Sequence, residues 1–239
     1  MIRFCLLAAC LCGPLAADGL ADLKAALARC QGQDVMKAQL ESSTWSRKTE
    51  DKQPKETTSS QTLIVEGGSM GLRITYPPAV LAKARQLARG RDPKDQSQPL
   101  GQIGFQQIEA MCSAAPSLQE KLEESPFQAE QQALWQGHPA RLLLFNLKSR
   151  KESQMGAKMD TSGTWKLWID AEGVPLASEA QEHFDLGVLV FKAKGTERTM
   201  IEYTRLGSRL VVLRQVEEKD GTAMGQSIQS KVVLALKLQ

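Results

Sequence analysis

Between Thr164 and Leu213, turn residues recur about every ten to twelve positions, and no interval is long enough for a helix. No other feature of the chain limits its fold as strongly. Parallel strands need crossovers of a dozen residues or more, so strands this close in sequence form an antiparallel meander. The first, Thr164–Asp170, alternates Trp165, Leu167 and Ile169 with Lys166, Trp168 and Asp170, the period of a half-buried strand. Ala171-Glu172-Gly173 turns the chain, and Pro175 opens a strand reaching about Phe184, where a missing N–H is tolerated. Asp185-Leu186-Gly187, Lys194-Gly195-Thr196 and Gly207-Ser208 read as further turns. They separate Val188–Ala193, Arg198–Leu206 and Leu210–Val216, giving five short strands.

The rest of the chain supplies helices and flanking strands. Leu20, Leu23, Leu27 and Cys30 recur at three and four, which predicts a helix over Asp18–Gln33. Val35–Glu50 alternates as a strand. The polar run Lys48–Ser60 reads as a long hairpin loop, with Gln61–Glu66 as the return strand and Met70–Tyr76 as the next. Pro77-Pro78 opens a basic amphipathic helix, because proline is tolerated at a helix start. A polar loop follows over Gly90–Gly101. Ile103, Ile108, Met111 and Cys112 suggest a helix, and Ser117 with Glu120 has capping-box spacing for another. Phe127–Gln136 and Arg141–Lys148 read as strands, Ser149–Gly163 as a loop and Met224–Leu238 as the last strand. The fold class is therefore α+β: an antiparallel sheet of about ten or eleven strands with three or four helices. A sheet that wide must curl, with the helices on its concave side.

Residues 1–17 have the anatomy of a secretory signal. Arg3 is the only charge, Phe4–Leu11 is apolar, and Leu15-Ala16-Ala17 offers a cleavage site. This predicts a periplasmic chain forming a single domain over residues 18–239. The alternative is a membrane-anchored lipoprotein lipidated at Cys10, since Leu7-Ala8-Ala9-Cys10 has the form of a lipobox. Cys5 and Cys12 also lie in the leader, so only Cys30 and Cys112 remain to pair in an oxidising compartment or to stay as two buried thiols. A formal net charge of +3 is too balanced to imply nucleic acid.

Catalytic and metal-binding patterns are missing. His138 and His183 form no His-x-x-x-His pair, no Cys-x-x-Cys occurs, and neither a Gly-x-Ser-x-Gly elbow nor a Walker motif is present. The expectation is a chain that is no enzyme and holds no metal or cofactor.

The stretch Trp165-Lys166-Leu167-Trp168-Ile169-Asp170, followed by Gly173-Val174-Pro175-Leu176, resembles LolA-like periplasmic lipoprotein carriers, in which a strand ending in Asp leads into a Gly-x-Pro turn. The order of signal peptide, short helix, long hairpin, inserted helices and strand meander is similar too. The resemblance implies an incomplete β-barrel with a hydrophobic cavity under helical lids. It also implies a non-catalytic binding or carrier role for an acyl chain or lipoprotein. The alternative is an envelope protein-interaction or sensor module with a solid core and no ligand. The expected state is a monomer, with lipid, lipoprotein or envelope proteins as partners. Residues spaced by two point to one side of a strand. The candidate cavity wall is therefore Leu143, Phe145 and Leu147, then Trp165, Leu167 and Ile169, then Leu189 with Phe191.

Overall fold

The computed structural model describes residues 18–50, 53–89, 103–154, 157–188, 191–223 and 225–239. Residues 1–17 with Cys5, Cys10 and Cys12, the whole of Gly90–Gly101, expected as a loop, and Leu189 lie outside the described residues. Helix α1 (Gly19–Arg29) precedes β1 (Met36–Glu50), β2 (Gln53–Gly68) and β3 (Gly71–Thr75). Three helices follow: α2 (Pro78–Arg89), α3 (Phe105–Cys112) and α4 (Ala114–Glu124). The remaining strands are β4 (Phe127–Trp135), β5 (His138–Gln154), β6 (Ala157–Ile169), β7 (Pro175–Val188), β8 (Phe191–Leu206), β9 (Arg209–Ala223) and β10 (Gln226–Leu238).

All ten strands form one curled, unclosed antiparallel sheet in the order β3-β2-β1-β10-β9-β8-β7-β6-β5-β4. Every neighbour in space is a neighbour in sequence except β1 and β10, whose pairing joins the first strand to the last. The sheet is open only between β3 and β4, where α2–α4 are inserted. α3 and α4 pack against β9, and α1 packs against α4 and β5. This is the α+β curled sheet with helices that the sequence predicts, and it is compatible with a LolA-like fold. Among the described residues, no helix is long and apolar enough to cross a membrane.

One core runs between helices and sheet. Leu23, Ala26, Leu27 and Cys30 of α1 and Ile108, Met111 and Cys112 of α3 meet the inward residues of the strands. The α1 stripe follows the three-and-four spacing, with Leu20 at its edge. Asp18 caps α1, its carboxylate accepting from the amides of Leu20 and Ala21. α4 starts at Ala114 rather than after Ser117, so the capping-box reading was misplaced. Its N-cap Ser113 makes no side-chain hydrogen bond. Pro116 fits the first turn because its missing amide would have no partner inside the helix.

The strand boundaries correct the sequence reading. β7 runs unbroken to Val188 and β8 runs from Phe191 to Leu206, so the expected turns at Asp185–Gly187 and Lys194–Thr196 are strand interior. The five short strands are four long ones. Lys48–Glu50 and Gln53–Ser60, and Arg150–Gln154 and Ala157–Gly163, expected within loops, belong to the β1–β2 and β5–β6 ladders. Two glycines inside these strands mark close approach rather than a turn. A Cβ at Gly163 would collide with the Gln181 carbonyl, and one at Gly195 with the Asp220 carbonyl.

Candidate functional site

The β6–β7 turn carries the residues of the family resemblance, and their role here is structural. The Asp170 carboxylate accepts from the amides of Glu172 (2.8 Å) and Val174 (2.9 Å). Gly173 takes φ +83°, and a Cβ there would run into the backbone of Asp22. The turn therefore lies directly on α1. Buried Arg141 of β5 joins the same junction. It donates to Asp22 at 2.7 Å and to the carbonyls of Asp170 and Ala171 at 3.4 Å, with Glu130 of β4 at 3.8 Å. Glu130 in turn accepts from the Gly19 amide at 2.9 Å. Three acidic side chains at the start of α1 complement its dipole.

The β5 and β6 residues of the candidate cavity wall lie together. Leu143 stands opposite Leu167, and Phe145 opposite Trp165. The Phe145 and Trp165 rings lie 4.7 Å apart, and Phe127 meets Phe145 edge-on at 5.6 Å. Leu143, Phe145, Trp165, Leu167 and Ile169 are at most 2% exposed and belong to the one core cluster. Leu147 sits at its rim, half-buried. Phe191 does not join them: it opposes Val188, which opposes Ala157 at the far end of β6 from Trp165. Trp168 takes the opposite face, as the alternation requires, and stacks on Trp135 at 5.2 Å.

Beside Leu147 the space between α4 and the sheet opens into a cleft of about 390 Å³ lined by Ser117, Glu120, Lys121, Glu124, Ser125, Lys148, Thr161 and Glu182. The Lys121 ammonium lies 5.2 Å from the centre of the Trp165 ring. Burial pushes it below the usual lysine range, against the pull of Glu182 and Glu197. Past the cleft, Gly163, Glu182, Glu197 and Lys219 stand in register across β6 to β9. Lys219 bridges Glu217 at 2.7 Å and Glu197 at 3.2 Å. Burial raises the Glu197 carboxyl despite Lys219, and Glu217 and Glu182 raise it further. In Lys219, burial works downward, but Glu217 and Glu197 outweigh it and hold the ammonium above its ordinary range.

Sequence reasoning missed this ladder. Its signal was present: Glu182 has the inward parity of Ala180, and Glu197 that of Thr199. Only the register between strands shows that the three charges meet.

The opposite face carries two further hollows. One of about 560 Å³ includes Asp160, His183, Asp185 and Lys194; the other, of about 410 Å³, includes Trp45, Arg198 and Lys231. They share Thr196 and Asp220. No cluster of three or more metal-binding side chains occurs among the described residues. The inner cleft and its ladder offer charge and hydrogen bonding, the means of recognising a polar partner.

Cys30 and Cys112 are separate buried thiols in this structure. Burial raises both, Cys112 to about 11, so neither is a reactive thiolate at neutral pH. Comparison with family models, curated proteins and solved structures finds no match for this chain.

Proposed function

We propose that the protein is a non-catalytic interaction module of the periplasm. In this reading it is built as a LolA-like half-barrel and engages a protein partner through the polar inner cleft beside α4. One observation carries the reading. The apolar residues best placed to hold an acyl chain are packed against helices, while the space left beside them is lined by Lys121, Glu182 and their neighbours. A cleft with fixed charges selects a partner by complementarity more than by apolar area.

Carriage of an acyl chain is the second reading. It is favoured by the strand order, which is compatible with a LolA-like half-barrel, and by Leu147, which adds apolar surface to the lining of the cleft. Native mass spectrometry of protein purified from the periplasm, with titration of a fluorescent fatty acid, separates the two. The interaction module predicts no co-purified lipid and no saturable uptake. Stoichiometric lipid would overturn it in favour of the carrier. A photocrosslinker at Thr161, in the cleft, should give a discrete adduct in the living envelope. The same group at Lys24, exposed on α1, should give none. Equal labelling from both positions would count against the cleft.

A further inference from the structure

The two ends of the sheet are finished differently. β3 is a five-residue edge with Arg73 exposed, and the chain leaves it through Pro77 and Pro78. Short length, charge and proline are the usual protections of a strand edge. β4 has nine residues and contains no Lys, Arg or Pro. Its one charge, Glu130, is already engaged by Arg141 and the Gly19 amide. Leu134 is 67% exposed. Among the described residues, β4 has no strand on its far side. Its outward N–H and C=O groups form a row to which another extended backbone can add as a strand.

The sequence of β4 indicates which backbone. A two-fold axis normal to the sheet pairs a strand antiparallel with its own copy and keeps inner face beside inner face. The pairing with β5 is regular from Ala129 to Trp135, after a shift between Phe127 and Ala129. Centred on Gln132, that whole stretch pairs with itself. Ala129 then faces Trp135 of the second copy, so a small side chain meets a large one. Glu130 faces Leu134, Gln131 faces Ala133, and no like charges oppose each other. Centring on Glu130 would set two carboxylates face to face, and centring on Gln131 would shorten the regular pairing. We propose that two copies of this chain associate through β4, antiparallel about Gln132, to make one continuous sheet. This goes beyond the proposed function and replaces the monomer expected from the sequence.

The test is sedimentation of the mature chain up to about 100 µM, where an interface of modest affinity is occupied. The wild type should show a reversible dimer. Gln131→Lys with Ala133→Lys places lysines opposite each other twice, and Gln131→Glu with Ala133→Glu does the same with carboxylates. Each double variant should dimerise at least about tenfold more weakly, since like charges directly opposed across strands repel. Mixing the two should restore a heterodimer. Both variants should keep the wild-type melting profile, which separates lost association from lost folding. Amide exchange in Ala129–Trp135 should slow as wild-type concentration rises. A wild type monomeric throughout, charge variants that dimerise as it does, or protection in the monomer of those β4 amides that point away from β5 would each overturn the proposal. None of these readouts depends on lipid or on the envelope partner.

Discussion

The sheet has two halves that are held together by different physics. Near α1, α3 and α4, alternate residues from Met36 to Trp165 are buried in one apolar cluster. Toward the opposite end, the β1–β2, β5–β6 and β9–β10 hairpins continue as strands with little apolar surface to bury. Gln53–Ser60 of β2 are all exposed. There the backbone ladder is supplemented by cross-strand pairs such as Ser46–Thr57 (2.7 Å), Lys231–Glu218 (2.7 Å) and Gln229–Asp220 (2.6 Å). Hydrophobic burial fixes the register in the first half. The second half inherits that register through the continuous strands. Strand length in this protein is therefore set by ladder continuity and not by where the apolar pattern stops.

The sharpest way to test that contrast is to remove the side chain at the centre of the packed half. Trp165→Ala should cost about 3–5 kcal/mol, because the cavity left under α4 adds to the lost burial. Leu143→Ala and Leu167→Ala should cost about 2–5 kcal/mol. Chemical denaturation read by circular dichroism measures both. Losses well below these values would mean that the wall of Leu143, Phe145 and Leu167 lines a real cavity, which would favour the acyl carrier. Next in size is Gly173→Ala. The substitution strains a φ of +83° and pushes a methyl into the Asp22 backbone. A loss of about 1–3 kcal/mol is expected, with faster amide exchange in α1 than in β9. Uniform acceleration across the sheet would show that the turn supports the whole fold and not the α1 junction.

Much of the packed half was legible in the sequence. The α1 stripe, the alternation around Trp165 and the run at Leu143 all bury what their period assigns to the core. The polar half was not, for a physical reason. Period-two alternation reports burial on one face, and Thr57 and Ser59 sit in a stretch of β2, Gln53–Ser60, with no buried residue to report. Lys194-Gly195-Thr196 has turn composition, yet its glycine serves a close approach to the Asp220 carbonyl inside β8. The inner cleft was hidden for a related reason. Lys121 comes from a helix and Glu182, Glu197 and Lys219 from three strands, so only register and docking bring them together.

The charged ladder sits where the two halves meet, and its pH response locates that border. The folded pKa of Glu197 is raised, with burial the first cause. A carboxyl raised on folding contributes stability that is full below its unfolded pKa. That contribution is lost as pH rises through the folded value. Glu218 is shifted the other way, chiefly by its hydrogen bond from Lys231, and its contribution is lost as pH falls. The informative quantity is thus the difference between wild type and Glu197→Gln. The wild type should gain melting temperature relative to the variant as pH drops from neutral into the ordinary glutamate range. A difference that stays flat would mean that Glu197 is as well solvated as the far ends of the hairpins.

The smallest effect is expected within the polar half itself. Lys231 and Glu218 approach at 2.7 Å with side chains 47% and 43% exposed. Water screens such a pair and ordering two long side chains opposes it, so Lys231→Ala should cost about 0.2–1 kcal/mol. The cost should shrink further in molar salt, where the screening length falls to about 3 Å. Melts of wild type and variant at low and high salt make the measurement. The ion pair also borders the outer hollow that contains Trp45, so the substitution removes aliphatic cover as well as charge. A loss that persists at high salt would come from that cover, and the polar half would then hold packing energy of its own. A loss that vanishes with salt would leave these strands held by their backbone ladder and by continuity with the buried half.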